Sequence, residues 1–350
     1  MTAAVASRGL VLEALGERPR LQELTVEPPG PGEVRIRMRA AGLCHTDVSQ
    51  VRDARFTPIL LGHEGAGEIE SVGRDVKGLT PGDRVLVCWK VPCRRCRRCT
   101  AGEPHLCEDV VGLPAPRAFR DGEPIRPMLN AGCFADYVVL PAAAAIPLGV
   151  DLPLAEAGLV GCAVATGVGA VLWTAQVEEG ASVAVFGAGG VGLNIVAGAR
   201  IAGAARIVAV DPDETRLELA RARGATHTVG PGEPFELVDY AFEVVGDPGV
   251  MEQALASLAP AGELILVGAT ARDALMSFHP RAFLSRQQRI TGCIYGSLDP
   301  HEHLPQLLAW CADGTVPLGD LVGRRITLDE LEQAFDEPAN GGVRTVIAFG

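Results

Sequence analysis

Ser182-Val183-Ala184-Val185-Phe186 is an apolar run that ends in Gly187-Ala188-Gly189-Gly190-Val191-Gly192. It continues at helical spacing to Ala202 and reaches a second apolar run, Ile207-Val208-Ala209-Val210, closed by Asp211. A strand, a glycine turn, a helix and a second strand in this order leave few folds open. The glycines let the backbone approach a pyrophosphate at the helix N-terminus. An acid about twenty residues downstream accepts hydrogen bonds from the adenosine ribose and repels a 2'-phosphate. The stretch therefore predicts a dinucleotide site built on Gly187, Gly189, Gly190, Val191, Gly192 and Asp211, with NAD favoured over NADP.

The alternation continues. A helical pattern over 214–225 is followed by strand patterns over 239–245 and 263–267 and a last one over 289–297. Repeated strand and helix imply a parallel, doubly wound sheet. Between His227 and Asp239 only Gly230-Pro231-Gly232-Glu233-Pro234-Phe235-Glu236 is left, too short and too rich in Pro and Gly for a helix, so a tight non-helical crossover is expected there.

The rest of the chain is patterned differently. Residues 1–55 alternate apolar and polar in short segments broken by turns such as Pro28-Pro29-Gly30-Pro31-Gly32, which predicts antiparallel β structure, with a turn at Ala40-Ala41-Gly42. Residues 108–132 show no period and read as a long loop. Strand patterning returns over 133–139 and again over 344–349, and small and aliphatic residues recur at helical spacing over 152–173. At 350 residues the chain is long enough for two domains with separate cores.

Cys93, Cys96, Cys99 and Cys107 form a C-x2-C-x2-C-x7-C run in the arginine-rich stretch Cys93-Arg94-Arg95-Cys96-Arg97-Arg98-Cys99. Four thiolates so close on a loop fit a closed tetrahedral zinc, and nearby arginines favour the thiolate form. Cys88 lies outside the spacing and reads as a free thiol. Ten cysteines in a large chain without a signal-peptide pattern read as ligands or reduced thiols, which places the chain in the cytoplasm. No apolar run reaches spanning length without Gly or charge, so no membrane is expected. The net charge of -12, with only Lys77 and Lys90 beside the arginines, argues against nucleic acid as a partner.

Gly62-His63-Glu64-Gly65-Ala66-Gly67, with Gly73 and Val76 following, Cys44 before and Cys162 far behind, carries the spacing of zinc-containing medium-chain alcohol dehydrogenases. The chain resembles that family over nearly its whole length. The resemblance implies an α/β protein with a GroES-like, mainly-β catalytic domain over 1–163 and 295–350. That domain would carry the structural-zinc lobe at 88–110, and a Rossmann domain with a doubly wound parallel sheet would span 164–294.

The resemblance also implies site residues. Cys44, His63 and Cys162 would hold a catalytic zinc, three protein ligands leaving the fourth position open. Thr46 would bond the substrate oxygen, Asp47 would hold the imidazole of His63, and Glu64 would sit behind the metal. His45, Thr166, Arg216, Val267 and Arg344 would join the glycine loop and Asp211 around NAD, with Thr166 facing the nicotinamide and His45 and Arg344 the pyrophosphate. Trp89, Phe134 and Ile294 would line an apolar, aromatic pocket for a small alcohol or aldehyde. Family members that relay the alcohol proton through a His place it five residues after the ligand Cys, where this chain has Ser49. The strand over 290–296 resembles the edge that relatives pair across a two-fold, so a homodimer is expected, with a tetramer as the other possibility. Rival readings are a thiol-adduct formaldehyde dehydrogenase of the same superfamily, a zinc-free quinone reductase, and a cofactor-binding protein without turnover.

Overall fold

The computed structural model describes residues 3–109, 115–335 and 343–350. The chain divides into two compact units: Met1–Cys162 with Asp299–Asp313 and Leu321–Gly350, and Ala163–Leu298 with Gly314–Asp320. Tyr295–Leu298 and Gly314–Asp320 thus belong to the second unit.

The first unit is mainly β. Five short strands, Val5–Leu12, Arg20–Val26, Ala118–Arg120, Glu123–Pro127 and Ile59–Leu60, close into a barrel. A seven-stranded sheet runs beside it, with Glu33–Leu43 flanked by Glu64–Val72 and Arg344–Ala348, both antiparallel to it. Ala40-Ala41-Gly42 is part of this central strand and not a turn. Its small residues are required because the strand is covered closely: a Cβ on Gly42 would stand 2.3 Å from Glu64 Oε2 and 2.8 Å from Leu159. Residues 45–53 are likewise not β but the helix His45–Asp53. The expected loop over 108–132 contains the hairpin Ala118–Arg120/Glu123–Pro127, while its residues 110–114 lie outside the described ones. Asp121-Gly122, both at positive φ (51° and 83°), form the two-residue turn that matches the twist of paired strands.

The second unit is a parallel six-stranded sheet in the order His227–Val229, Arg206–Val210, Ser182–Phe186, Val238–Glu243, Leu258–Leu266, Arg289–Gly292. Among the described residues no helix lies between His227–Val229 and Val238–Glu243, as the Pro/Gly-rich crossover predicts. The last strand stops at Gly292 rather than running to Ser297. Tyr295, Gly296 and Ser297 all take φ between 53° and 61°, and Gly296 lies so close to the helix Ala163–Gly169 that a Cβ would meet Ala165 O at 2.4 Å. The strand Arg289–Gly292 ends one edge of the sheet.

The helical pattern over 152–173 is also divided. A short helix Leu154–Ala157 and a 3-10 turn Gly158–Gly161 end at Cys162, whose backbone (φ -139°, ψ -70°) is not helical, and Ala163–Gly169 resumes. No single helix among the described residues is long and apolar enough to cross a membrane.

Candidate active site

The register of the central sheet explains why residues far apart in sequence meet. Gly42 pairs with Glu64 on one side and Val346 on the other, so Cys44, His63 and Arg344 emerge at the same end of three adjacent strands. Gly62 turns the chain into His63 at φ 94°, and a Cβ there would stand 2.5 Å from the Phe134 amide nitrogen. A Cβ on Gly67 would stand 2.3 Å from Arg37 O. These glycines are therefore demanded by close strand packing as well as by the local bend.

Cys44 caps the helix His45–Asp53, and the Asp47 carboxylate closes that cap by accepting the Cys44 backbone N–H at 2.9 Å. Its other oxygen accepts from His63 Nδ1 at 3.0 Å, and both side chains are fully buried. An imidazole that donates through Nδ1 presents the Nε2 lone pair to a metal. Nε2 lies 3.4 Å from Cys162 Sγ. The ligand atoms of Cys44, His63, Cys162 and a Glu64 oxygen all lie within 4.8 Å of one another. Two sulfurs and one nitrogen, buried and convergent, fit zinc.

The electrostatics match. The Cys44 thiol is pulled well below its ordinary value by the hydrogen bond from Cys162, with Arg344 and His63 adding positive charge. Burial pushes the Glu64 carboxyl up to about 7 against the pull of Arg344. The Arg344 guanidinium stands 3.3 Å from Glu64 Oε1, and neither Glu64 oxygen has a hydrogen-bond partner. The expectation for Arg344 was a pyrophosphate contact; in this structure the side chain is buried against Glu64 and feels the charge of Cys44 and Cys162.

Thr46 sits in the first helical turn. The Ser49 hydroxyl donates to the Thr46 carbonyl at 2.9 Å, which occupies its proton within the helix. Trp89 stands edge-on to His63, ring centroids 6.4 Å apart. Phe134 does not line a pocket: it has no exposed surface and packs edge-on against Phe335 in the core. Ile294 is 43% exposed on the second unit, and His45 is exposed at the start of its helix.

In the cysteine lobe, the sulfurs of Cys93, Cys96, Cys99 and Cys107 also lie within 4.8 Å of one another. The arginines act on the thiolates only in part: Arg94 and Arg95 interact with the charge of Cys99 and Cys93, but each arginine of the lobe also pairs with an acid. Arg94 pairs with Asp299, Arg95 with Asp109, Arg97 with Glu108 and Arg98 with Glu103. At Cys96 the thiolate is favoured by backbone donors: the N–H groups of Cys99 and Glu108 pull it down to about 6, while desolvation pushes Cys99 up to about 12. All ten cysteines are unbridged, Cys88 among them.

In the second unit the glycine loop is shaped for an anion. Gly187 takes φ 103°, and a Cβ on Gly192 would stand 1.8 Å from Gly187 O. A Cβ on Gly189 would meet nothing within 4 Å, so the space before the helix Gly190–Ile201 is open. Asp211 braces the loop by accepting from Ala188 N at 2.7 Å, and Arg216 stands 3.8 Å from it. Thr166 lies on the helix Ala163–Gly169, and the amide of Val267 donates to Glu243 O at 2.9 Å. Glu243 itself was missed. It ends an apolar strand, is fully buried, and accepts the amides of Val245 and Gly246 at 2.8 and 2.7 Å, shaping the turn beside the loop. An acid closing the run Tyr240-Ala241-Phe242 was the available signal.

The pattern of the alcohol dehydrogenase GroES-like domain matches residues 30–150, and that of the zinc-binding dehydrogenases matches residues 190–313. The chain belongs to the zinc-containing medium-chain alcohol dehydrogenases. This dehydrogenase is similar to the S-(hydroxymethyl)glutathione dehydrogenase of Paracoccus denitrificans, 31% identical over 374 residues that cover 98% of this chain and 100% of that one. It is similar in structure to an alcohol dehydrogenase zinc-binding domain protein from Burkholderia ambifaria (TM-score 0.92, 32% identity, 99% and 100% covered). A benzyl alcohol dehydrogenase from Acinetobacter calcoaceticus gives a TM-score of 0.89 at 30% identity, with 99% and 100% covered. The dehydrogenase thus has a GroES-like and a Rossmann domain and is a zinc-dependent oxidoreductase of the alcohol dehydrogenase type.

Asp47 carries a prediction. Asp47→Asn keeps the size but loses the charge that fixes the His63 tautomer. Zinc affinity at the catalytic site is expected to fall by about 10–100-fold. Competition with a chromophoric chelator measures this, and an unchanged affinity would remove Asp47 from the site.

Proposed function

We propose that the chain oxidises a primary, apolar or aromatic alcohol to the aldehyde with NAD, and runs the reverse reduction, as a cytoplasmic homodimer. The observation that carries this reading is the meeting of Cys44, His63 and Cys162 at one end of the central sheet. Zinc held there would supply Lewis-acid chemistry to the alcohol oxygen, and NAD would supply the hydride acceptor. The chain's own residues do the rest. Asp47 holds the His63 ring, Arg344 balances the charge of Glu64 and the thiolates, and the Thr46 hydroxyl accepts the alcohol proton and passes it on. Ser49, whose hydroxyl donates to the Thr46 carbonyl and keeps its acceptor lone pairs, or water ends the transfer. Asp211 favours NAD, because a buried carboxylate repels a 2'-phosphate. In the first unit Trp89, edge-on to His63, gives the alcohol site its apolar character, and in the second unit Thr166, Arg216 and Val267 contact the cofactor. The edge strand Arg289–Gly292 supports pairing with a second copy.

A second reading is a thiol-adduct formaldehyde dehydrogenase, favoured by the name of the Paracoccus denitrificans relative. NAD reduction over primary aliphatic, allylic, benzylic and secondary alcohols, with and without added thiol and with zinc counted, separates the two. Turnover of benzylic or allylic alcohols without thiol is the expected result. Turnover of formaldehyde only when thiol is added moves the assignment to the second reading.

A further inference from the structure

Gly314–Asp320 packs with the cofactor unit, although the chain on both sides of it belongs to the catalytic unit. Val316 and Leu318 are buried, and two arginines grip the backbone. Arg200 donates to Thr315 O at 2.6 Å, and Arg223 to Pro317 O at 2.8 Å. Arg223 is the unusual one. Its side chain has no exposed surface, and a buried guanidinium is tolerated only when its charge and donors are matched.

Asp320 supplies the charge, accepting from Nε at 3.1 Å and also from Nη2. Nη1 donates to Asn194 Oδ1 at 3.4 Å. Arginine carries only donors, so Asn194 must turn its oxygen toward it. The Asn194 amide nitrogen then faces the opposite way and donates to Gly190 O at 2.7 Å. Asn194 is itself fully buried, and Gly167 lies so close that a Cβ there would stand 2.5 Å from the Asn194 Cβ. Gly190 opens the helix Gly190–Ile201, whose N-terminus faces the open space of the glycine loop.

We propose that Asp320 is a positioning residue for the dinucleotide: through Arg223 and Asn194 it orients the first turn of the helix that receives the pyrophosphate. The inference rests on the NAD reading above. Because coupling between two sites is reciprocal, NAD binding also tightens the segment 314–320.

The test uses the full-length, zinc-loaded chain and titration calorimetry with NAD. Asp320→Asn is expected to raise the NAD Kd about tenfold, the size of one lost charge-assisted bond. Arg200→Ala loosens the same segment at Thr315 without touching Asn194, and should leave Kd within roughly twofold. The double replacement Arg223→Met with Asp320→Leu removes the buried charge altogether. It should recover thermal stability but not affinity, because Asn194 is then free to turn. Hydrogen exchange over 314–320 should slow on adding NAD in the parent chain and not in Asp320→Asn. A parent chain that binds NAD while Asp320→Asn binds it equally well overturns this proposal alone. So does an Arg200→Ala that weakens binding as much as Asp320→Asn, or a double variant that recovers both properties. A parent chain that does not bind NAD overturns the cofactor reading with it.

Discussion

Cys162→Ala is expected to lower alcohol-dependent NAD reduction at least about a thousandfold, because Lewis-acid stabilisation of the developing charge contributes several kcal/mol and each decade of rate is about 1.36 kcal/mol. Cys44 and His63 alone do not hold a tetrahedral ion in a closed geometry, and Glu64 is already balanced by Arg344. Zinc should fall from two to one per chain. The fold should survive, since Cys162 stands at a break between two helical turns and contributes a small side chain to the site rather than to a large apolar core. Metal analysis beside the activity measurement checks this. A variant that keeps two zincs and loses less than about tenfold in turnover excludes Cys162 as a ligand.

Cys99→Ala is expected to act on stability instead. The lobe has little else to hold it: its helices, Arg97–Thr100 and Pro104–Leu106, are four and three residues long, and an isolated helix needs about 12 or more to persist. Its ion pairs are largely exposed and weak, as surface pairs are. The metal bonds must therefore hold the lobe, and structural zinc in small modules binds with an apparent 10–16 kcal/mol or so. Losing even about 4 kcal/mol of that should lower Tm by roughly 8–16 °C in a domain of this size. Arg94 fixes the lobe to Asp299, the cap of the helix Pro300–Ala312, so the loss should spread beyond the four cysteines. Calorimetry and zinc analysis read it together. A variant with one zinc and a Tm within about 2 °C of the parent would show that the lobe holds without its metal.

The features legible from sequence were those in which one residue type answers one local need. Glycine at 62, 67 and 192 is forced by backbone approach and Gly187 by its φ of 103°, and the spacing of Cys93 to Cys107 brings four sulfurs together. The crossover without a helix over 230–236 was legible because Pro and Gly prohibit one. The errors came where a local pattern had two uses. Ala40-Ala41-Gly42 suits a turn, but also a strand covered on both sides; Asp121-Gly122 was a hairpin signal passed over inside an irregular stretch. Phe134 looked like a pocket residue and is core.

By itself the sequence determined which cysteines and histidine come together in two clusters, the close-packed glycine turn and the parallel sheet, because ligand chemistry, steric demand and periodicity act over a few residues. Only the tertiary structure decided that Arg344 stands against the buried Glu64, that each arginine of the lobe finds an acid to pair with, and that Asp320 reaches Gly190 through two buried side chains. Charges and hydrogen bonds are satisfied by whatever the fold brings within about 3 Å, and that nearness has no trace in sequence separation.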